Sequence, residues 1–218
     1  MKKVLLAGAV ALFGLSNAQI AKGTAYLSGS VGYSQTERDN GNDKEEKFNV
    51  LPTVGYFVAP NLAVGLGIGY QTEKDTKIST TLFPTTTLVT TNETKKPAFV
   101  VAPFVRKYWT LGDKLYIFGQ LAVPMTFGKT EIENTSVATS GSTTTTTTAS
   151  SEAKYTQIGV TVKPGLDYFL NKNWSIEATI GEFGYNNYKP KEGDATNNYN
   201  FGLNLSSVTF GVKYVFAK

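Results

Sequence analysis

The 218-residue chain contains neither cysteine nor histidine. Without cysteine there is no disulfide framework and no thiolate chemistry. Without histidine there is no zinc site of the usual kind and no catalytic triad built on a histidine base. The glycine-alternating run GLGIG at positions 65–69 does not open a helix, so it is not a phosphate-binding loop. No catalytic, cofactor-binding or metal-binding motif is recognisable, and we expect a protein that is not an enzyme and needs no cofactor.

Long hydrophobic runs are scarce, and the one that stands out lies at the N-terminus. Lys2 and Lys3 precede an apolar run and the small residues Ser16-Asn17-Ala18. This arrangement predicts a cleavable signal peptide over residues 1–18. Residues 19–218 then form a single exported domain. No other segment reaches the roughly 20 apolar residues that a membrane helix needs.

Excess charge of one sign is also missing once the signal peptide is set aside. The chain has 21 Lys and Arg residues, so removing Lys2 and Lys3 leaves 19 against 17 acidic residues. The cationic residues are scattered along the chain instead of forming a basic patch. We therefore expect no nucleic-acid partner.

What the sequence does contain is period-2 alternation, repeated along the whole exported domain. It predicts roughly eight antiparallel strands of ten or more residues, the length and even number typical of a small membrane barrel. Tight polar turns at 59–61, 111–114 and 171–173 alternate with long polar stretches at about 36–46, 72–97, 128–154 and 186–199. Short turns at one end and long loops at the other are typical of an up-and-down transmembrane barrel. We expect the low-complexity segment Ser140–Ser151 to be a solvated loop.

A short motif recurs just before the tight turns. The segments PTVGYF, PFVRKY and PGLDYF begin at Pro52, Pro103 and Pro164. Because proline cannot donate a ladder hydrogen bond, we expect a bulge or local break in the sheet at that height.

The two faces of the strands differ in side-chain size. From Leu62 to Tyr70 the large residues alternate with only Ala63 and three glycines. Small residues suit the crowded inside of a narrow barrel, so we assign the large apolar face to lipid and the small face to the lumen. Aromatic residues near both strand ends suit the two membrane interfaces.

These features together resemble a known family. The export signal, the hairpin PTVGYFVAPNLAVGLGIGY, the segments PFVRKYW and PGLDYFLNKNWSIEATIG and the end VTFGVKYVF are similar to small outer-membrane β-barrel proteins, the OmpA/OmpX-like "porin family" barrels. The resemblance implies a place in the cell outer membrane, contact with its lipid and recognition by the barrel-insertion machinery. Members commonly end on an aromatic residue, whereas here Phe216 is followed by Ala217-Lys218.

Several charged residues are predicted to point into the lumen. If the turn at 171–173 pairs Leu170 with Trp174, then Asp167 lies opposite Glu177. The predicted cationic members of this interior cluster are Arg106, Lys163 and Lys213. Such a cluster is either a salt-bridge network that plugs the lumen or a charged gate or acid–base pair. We also expect the hairpin glycines to leave room for these charged side chains.

We therefore expect a monomeric outer-membrane barrel with a structural or interaction role, its long extracellular loops being the contact for any partner outside the cell. Two alternatives remain open. One is a narrow porin-like channel for ions or small solutes. The other is an exported soluble barrel that binds an apolar ligand, which requires the opposite assignment of faces.

Overall fold

The computed structural model describes residues 20–202 and 208–216. The predicted signal peptide, residues 1–18, lies outside this part of the chain. The described residues form twelve antiparallel strands and one short 3-10 turn, Asp39–Gly41. No helix in this part of the chain is long and apolar enough to cross a membrane. The strands are β1 (Ala25–Arg38), β2 (Asp43–Ala59), β3 (Leu62–Leu82), β4 (Thr86–Lys95), β5 (Ala98–Thr110), β6 (Leu115–Ala122), β7 (Met125–Ser140), β8 (Thr143–Phe169), β9 (Trp174–Ile180), β10 (Glu182–Pro190), β11 (Thr196–Gly202) and β12 (Val208–Phe216).

The strands close on themselves. A circuit of antiparallel pairings runs β1–β2–β3–β5–β6–β8–β9–β12 and returns to β1. The other strands, β4, β7, β10 and β11, continue the sheet toward the end with the long connections. Closure satisfies the backbone groups that an open sheet would leave unpaired at its edges. The expected all-β antiparallel barrel is confirmed.

The number of strands is twelve, not about eight, because several long segments are interrupted. Strands β4 and β5 follow one another along β3, and β6 and β7 follow one another along β8. The interruptions fall at Pro97 and Pro124, whose rings cannot donate a ladder hydrogen bond. Between β9 and β10 the interruption is Gly181, which has a positive φ of 70°.

The prediction of local breaks at the repeated prolines is confirmed. The β2–β3 ladder has a gap between Val50 and Thr53, where Pro52 lies. Pro103 faces the break between β6 and β7, and its carbonyl accepts a hydrogen bond from the Val123 amide at 3.0 Å. Pro164 lies where the partner of β8 changes from β10 to β9.

The two faces are oriented as the side-chain sizes predict. In β3, Leu66 is 40% exposed and Ile68 is 53% exposed on the outer surface, while Ala63 is fully buried. Exposed apolar residues continue around the outside on the neighbouring strands, for example Val54, Val105 and Val162. A barrel with its large apolar side chains outside cannot keep them from water unless lipid covers them. This orientation overturns the alternative of a soluble barrel with an apolar interior.

The glycines of the inner face make room for aromatic rings of the next strand. Gly65 lies opposite Phe104, and a Cβ on Gly65 would lie 2.3 Å from Cζ of that ring. Gly55 lies opposite Tyr26, whose ring atoms would be 2.2 Å from an added Cβ. The expectation that these glycines make room for the interior charges directly is therefore wrong. Gly55 and Gly65 accommodate rings, against which Arg106 packs, while Gly67 and Gly69 lie against Leu51.

The polar stretches expected to be loops are mostly regular β-structure. Residues 72–82 of β3, strand β4, residues 129–140 of β7 and residues 143–154 of β8 pair side by side beyond the apolar band, and we call them the protruding sheet. The low-complexity segment forms its outermost hairpin, with a turn at Gly141 and Ser142 (φ of Gly141, 58°). At about 3.3 Å per residue, Thr143–Lys154 alone reaches roughly 40 Å from the barrel.

A candidate closed lumen with paired buried charges

Four of the five predicted interior charges meet inside the barrel near the short turns. Arg106 from β5, Asp167 from β8, Glu177 from β9 and Lys213 from β12 are all buried. Asp167 and Glu177 are direct neighbours across the β8–β9 ladder. Arg106 forms an ion pair with Glu177, and Lys213 forms one with Asp167. Each carboxylate therefore has its own cation, and the cluster has no net charge.

A tyrosine joins the two ion pairs. The Tyr108 hydroxyl accepts a hydrogen bond from Nη1 of Arg106 at 3.1 Å and lies 3.4 Å from Nζ of Lys213. The guanidinium of Arg106 also donates through Nε to Oε1 of Gln120 at 2.8 Å. Sequence reasoning missed Tyr108 and Gln120 as members of the cluster. The alternation that turns Arg106 inward also turns Tyr108 inward, so the sequence pattern could have identified Tyr108.

Aromatic rings enclose the cations. The Arg106 guanidinium carbon lies 4.2 Å from the ring centroid of Phe118. Nζ of Lys213 lies 4.9 Å from the Tyr108 centroid and 5.0 Å from the Phe169 centroid. A cation within about 6 Å of a ring face is attracted by the ring quadrupole, and more strongly where water is excluded. The rings thus replace part of the hydration that the buried charges lose.

Lys163 is placed apart from this cluster. It is partly exposed, higher on the lumen wall, and forms a 3.0 Å ion pair with Glu182. Sequence reasoning missed Glu182 because the alternation of inward and outward side chains shifts by one residue at Gly181. Odd-numbered residues such as Glu177 point inward in β9, whereas even-numbered residues such as Asn186 line the lumen in β10.

Below the charges a group of buried, mostly apolar residues forms an apolar floor near the short turns. Ile20, Phe57, Ala63 and Val215 are buried there together with Tyr108 and Tyr116. Ile20 is held by Asn61, whose Oδ1 accepts a hydrogen bond from the Ile20 amide at 2.8 Å. Asn61 also donates its own amide to the Ile20 carbonyl at 3.2 Å.

Above the charges the lumen widens. A cavity of about 370 Å³ is bounded by Arg106, Glu177, Lys163, Glu182 and by neutral residues, both polar and apolar. Its wall therefore combines two cations with two carboxylates. Apart from these charges, the lumen above the cluster is lined by both polar and apolar side chains.

One group of acidic residues on β2 and β3 has the spacing of a cation site. Oxygen atoms of Glu45, Glu73 and Asp75 lie within 4.8 Å of one another, the sole such group in residues 20–202 and 208–216. Lys47 forms ion pairs with Glu45 and, at 3.8 Å, with Glu73. A lysine therefore already supplies positive charge to this group.

Several solved structures are similar to this chain. The N-terminal β-barrel domain of Pseudomonas aeruginosa OprF is 9% identical, with a TM-score of 0.41, and the match covers 90% of this chain and 100% of that one. Neisserial surface protein A is 12% identical, with a TM-score of 0.42 and coverages of 88% and 99%. The Yersinia pestis attachment invasion locus protein Ail is 14% identical, with a TM-score of 0.33 and coverages of 89% and 99%. A comparison with curated proteins finds no match.

A family model covers almost the whole chain. The model described as "Outer membrane protein beta-barrel domain" matches residues 5–216. The exposed apolar outer face and the closed ring of strands are the features that such a domain requires in a bilayer. The chain belongs to the outer membrane protein β-barrel domain family and is a protein of the cell outer membrane.

Proposed function

We propose that this protein is a closed outer-membrane barrel with a structural and interaction role, which it performs through the protruding sheet. The observation that carries the proposal is the complete burial of Lys213 and Asp167 above the apolar floor, since both side chains are 0% exposed. A lumen closed in this way has no path for solute. The surface left for function is the polar sheet that extends beyond the lipid.

The membrane-spanning part of the barrel consists, in this proposal, of eight spans. The circuit of pairings at the short-turn end contains eight strands. Eight strands give an interior just wide enough to be filled by side chains, which agrees with the ring-and-charge filling described above. The protein acts as a monomer in lipid, without enzymatic activity, after the barrel-insertion machinery has recognised its C-terminal strand.

A narrow channel is the second candidate, and the polar cavity of about 370 Å³ favours it. Conduction would require the cluster of Arg106, Glu177, Lys213 and Asp167 to rearrange. Such a rearrangement would separate charges in a region from which water is largely excluded, and this is costly. We therefore rank the channel below the closed barrel.

Planar-bilayer conductance of the refolded protein tests the proposal. We expect wild-type protein to be silent and Arg106→Ala to be silent as well, because the apolar floor and the Lys213–Asp167 pair do not involve Arg106. A matched control is Lys163→Gln with Glu182→Gln, which removes an ion pair from the wall but leaves the floor intact. Steady wild-type conductance that changes on Arg106→Ala would establish the channel instead.

A further inference from the structure

One edge of the protruding sheet has no neighbour. Strand β8 pairs with β7 from Thr143 to Ile158. On its other side, pairing with β10 begins only at Tyr155. In residues 20–202 and 208–216, no strand pairs with that second edge between Thr143 and Ala153, and this whole stretch is exposed.

The alternation of the backbone identifies the groups that are free. The Lys154 carbonyl accepts a hydrogen bond from the Lys191 amide at 2.8 Å, so Lys154 directs its backbone groups toward the β10 side. The Gly159 amide donates to the Pro124 carbonyl at 2.9 Å, on the opposite side. Because direction alternates along a strand, the even-numbered residues from Thr144 to Glu152 present both amide and carbonyl to the open edge.

The edge lacks the usual protection against pairing. In natural proteins, lysine, proline, bulges or short length prevent an edge strand from pairing with another chain. Residues 143–151, TTTTTTASS, contain no charge and no proline, and threonine is a strong strand former. Such an edge is a template for another extended strand.

We propose that this edge binds the same edge of a second copy of this chain in an antiparallel pair. The register centred on Thr148 places Thr146 opposite Ser150 and Thr144 opposite Glu152, so no like charges face each other. Threonine pairs across strands are favourable. The sheet already contains two such pairs, Thr135–Thr148 and Thr139–Thr144, with hydroxyl oxygens 3.2 and 3.3 Å apart.

The direction of pairing determines which copies meet. Two barrels upright in one membrane have β8 running the same way, which would give parallel strands. Antiparallel pairing joins barrels in facing membranes, and the roughly 40 Å reach of the segment makes that contact geometrically accessible. The inference thus rests on the proposed interaction role and names its partner as a second copy.

The test uses full-length protein in lipid nanodiscs, with one barrel per disc, and sedimentation velocity as the readout. We expect wild-type discs to pair with increasing concentration and to be little affected by salt, since backbone hydrogen bonds carry the contact. Thr146→Pro with Ser150→Pro removes two outward amides without touching the hydrogen bonds to β7, and should weaken pairing at least about tenfold. Thr146→Ala with Ser150→Ala retains those amides and should still pair.

A charge swap keeps the test decisive if the proline variant does not fold. Discs carrying Thr146→Lys with Ser150→Lys should not pair with themselves, because the lysines face each other in the proposed register. Mixing them with discs carrying Thr146→Glu with Ser150→Glu should restore pairing. Wild-type discs that stay single, or pairing that survives both changes, would overturn the inference. The conductance experiment would still decide the closed barrel independently.

Discussion

Lys213 forms an ion pair with Asp167, which is 46 positions away, and neither side chain is accessible to solvent. Strand β9 lies between their strands β12 and β8 in the ring. The pair therefore spans the inside of the barrel across an intervening strand. Glu177 on β9 and Arg106 on β5 complete the cluster.

Removing one member of this pair should be strongly destabilising. Lys213→Met leaves the Asp167 carboxylate buried without its cation, and breaking a buried pair typically costs about 3–5 kcal/mol. The free energy of unfolding from detergent micelles in urea measures the loss, with heat-modifiable gel migration as the check on folding. Asp167→Asn in the Lys213→Met background should recover part of that loss, because it removes the uncompensated charge. No recovery would mean that Lys213 acts through packing alone.

The ring of Tyr26 over Gly55 predicts strong coupling between these two positions. Gly55→Ala puts a methyl group into the space of the Tyr26 ring and should cost about 1–3 kcal/mol as overpacking. In the Tyr26→Ala background the same change should cost much less, since the ring is gone. A double-mutant cycle on unfolding free energies measures the coupling. Additive effects would contradict the close approach of the two residues.

An arginine on the outer apolar face should oppose membrane insertion. Leu66 lies in the middle of the membrane-spanning part of β3, and Leu66→Arg should destabilise the folded barrel in lipid by about 2–4 kcal/mol. Thr80→Arg is the matched control, because Thr80 has the same outward parity on the same strand but is exposed in the protruding sheet. Equal effects at the two sites would show that the outer face of β3 does not meet hydrocarbon at Leu66.

Acid should loosen the base of the protruding sheet at Glu93. Hydrogen bonds from Lys74 and Lys95 hold the pKa of the Glu93 carboxyl below its usual value of 4.5. A depressed folded-state pKa contributes stability that is present above 4.5 and is lost as the pH falls through the folded value. The protection of the β4 amides, measured as exchange relative to the unfolded chain at the same pH, should therefore fall as the pH drops below 4.5, and less so in Glu93→Gln. Identical acid responses in the two proteins would show that Glu93 does not contribute.

Much of the barrel could be predicted from local pattern. The size alternation from Leu62 to Ile68 indicated which face is outside, and the repeated prolines indicated where the ladders break. The counted turn at 171–173 placed Asp167 opposite Glu177, which is the observed register. These features repeat every second residue or lie within one hairpin, so neighbouring residues carry the information.

The ion-pair partner of Lys163 and the secondary structure of the polar stretches could not be predicted from local pattern. A single extra residue at Gly181 shifts the alternation, so that even-numbered residues of β10, Glu182 among them, point inward. The segment SGSTTTTTTASS has a loop-like composition, yet β7 supplies a continuous ladder partner from Ile132 to Ser140. The composition of a segment does not show whether another strand lies beside it.

The sequence by itself determined the alternation, the lipid-facing surface, the short turns and the identity of the four buried charges, to which it added Lys163. Only the tertiary structure decided which cation meets which carboxylate, that Ile20 packs into the apolar floor, and that one edge of β8 stays open. The physical reason is that the alternation of side chains between two faces is a property of a single strand. Ion pairing, closure and edge exposure depend on the register between strands that are far apart in the chain.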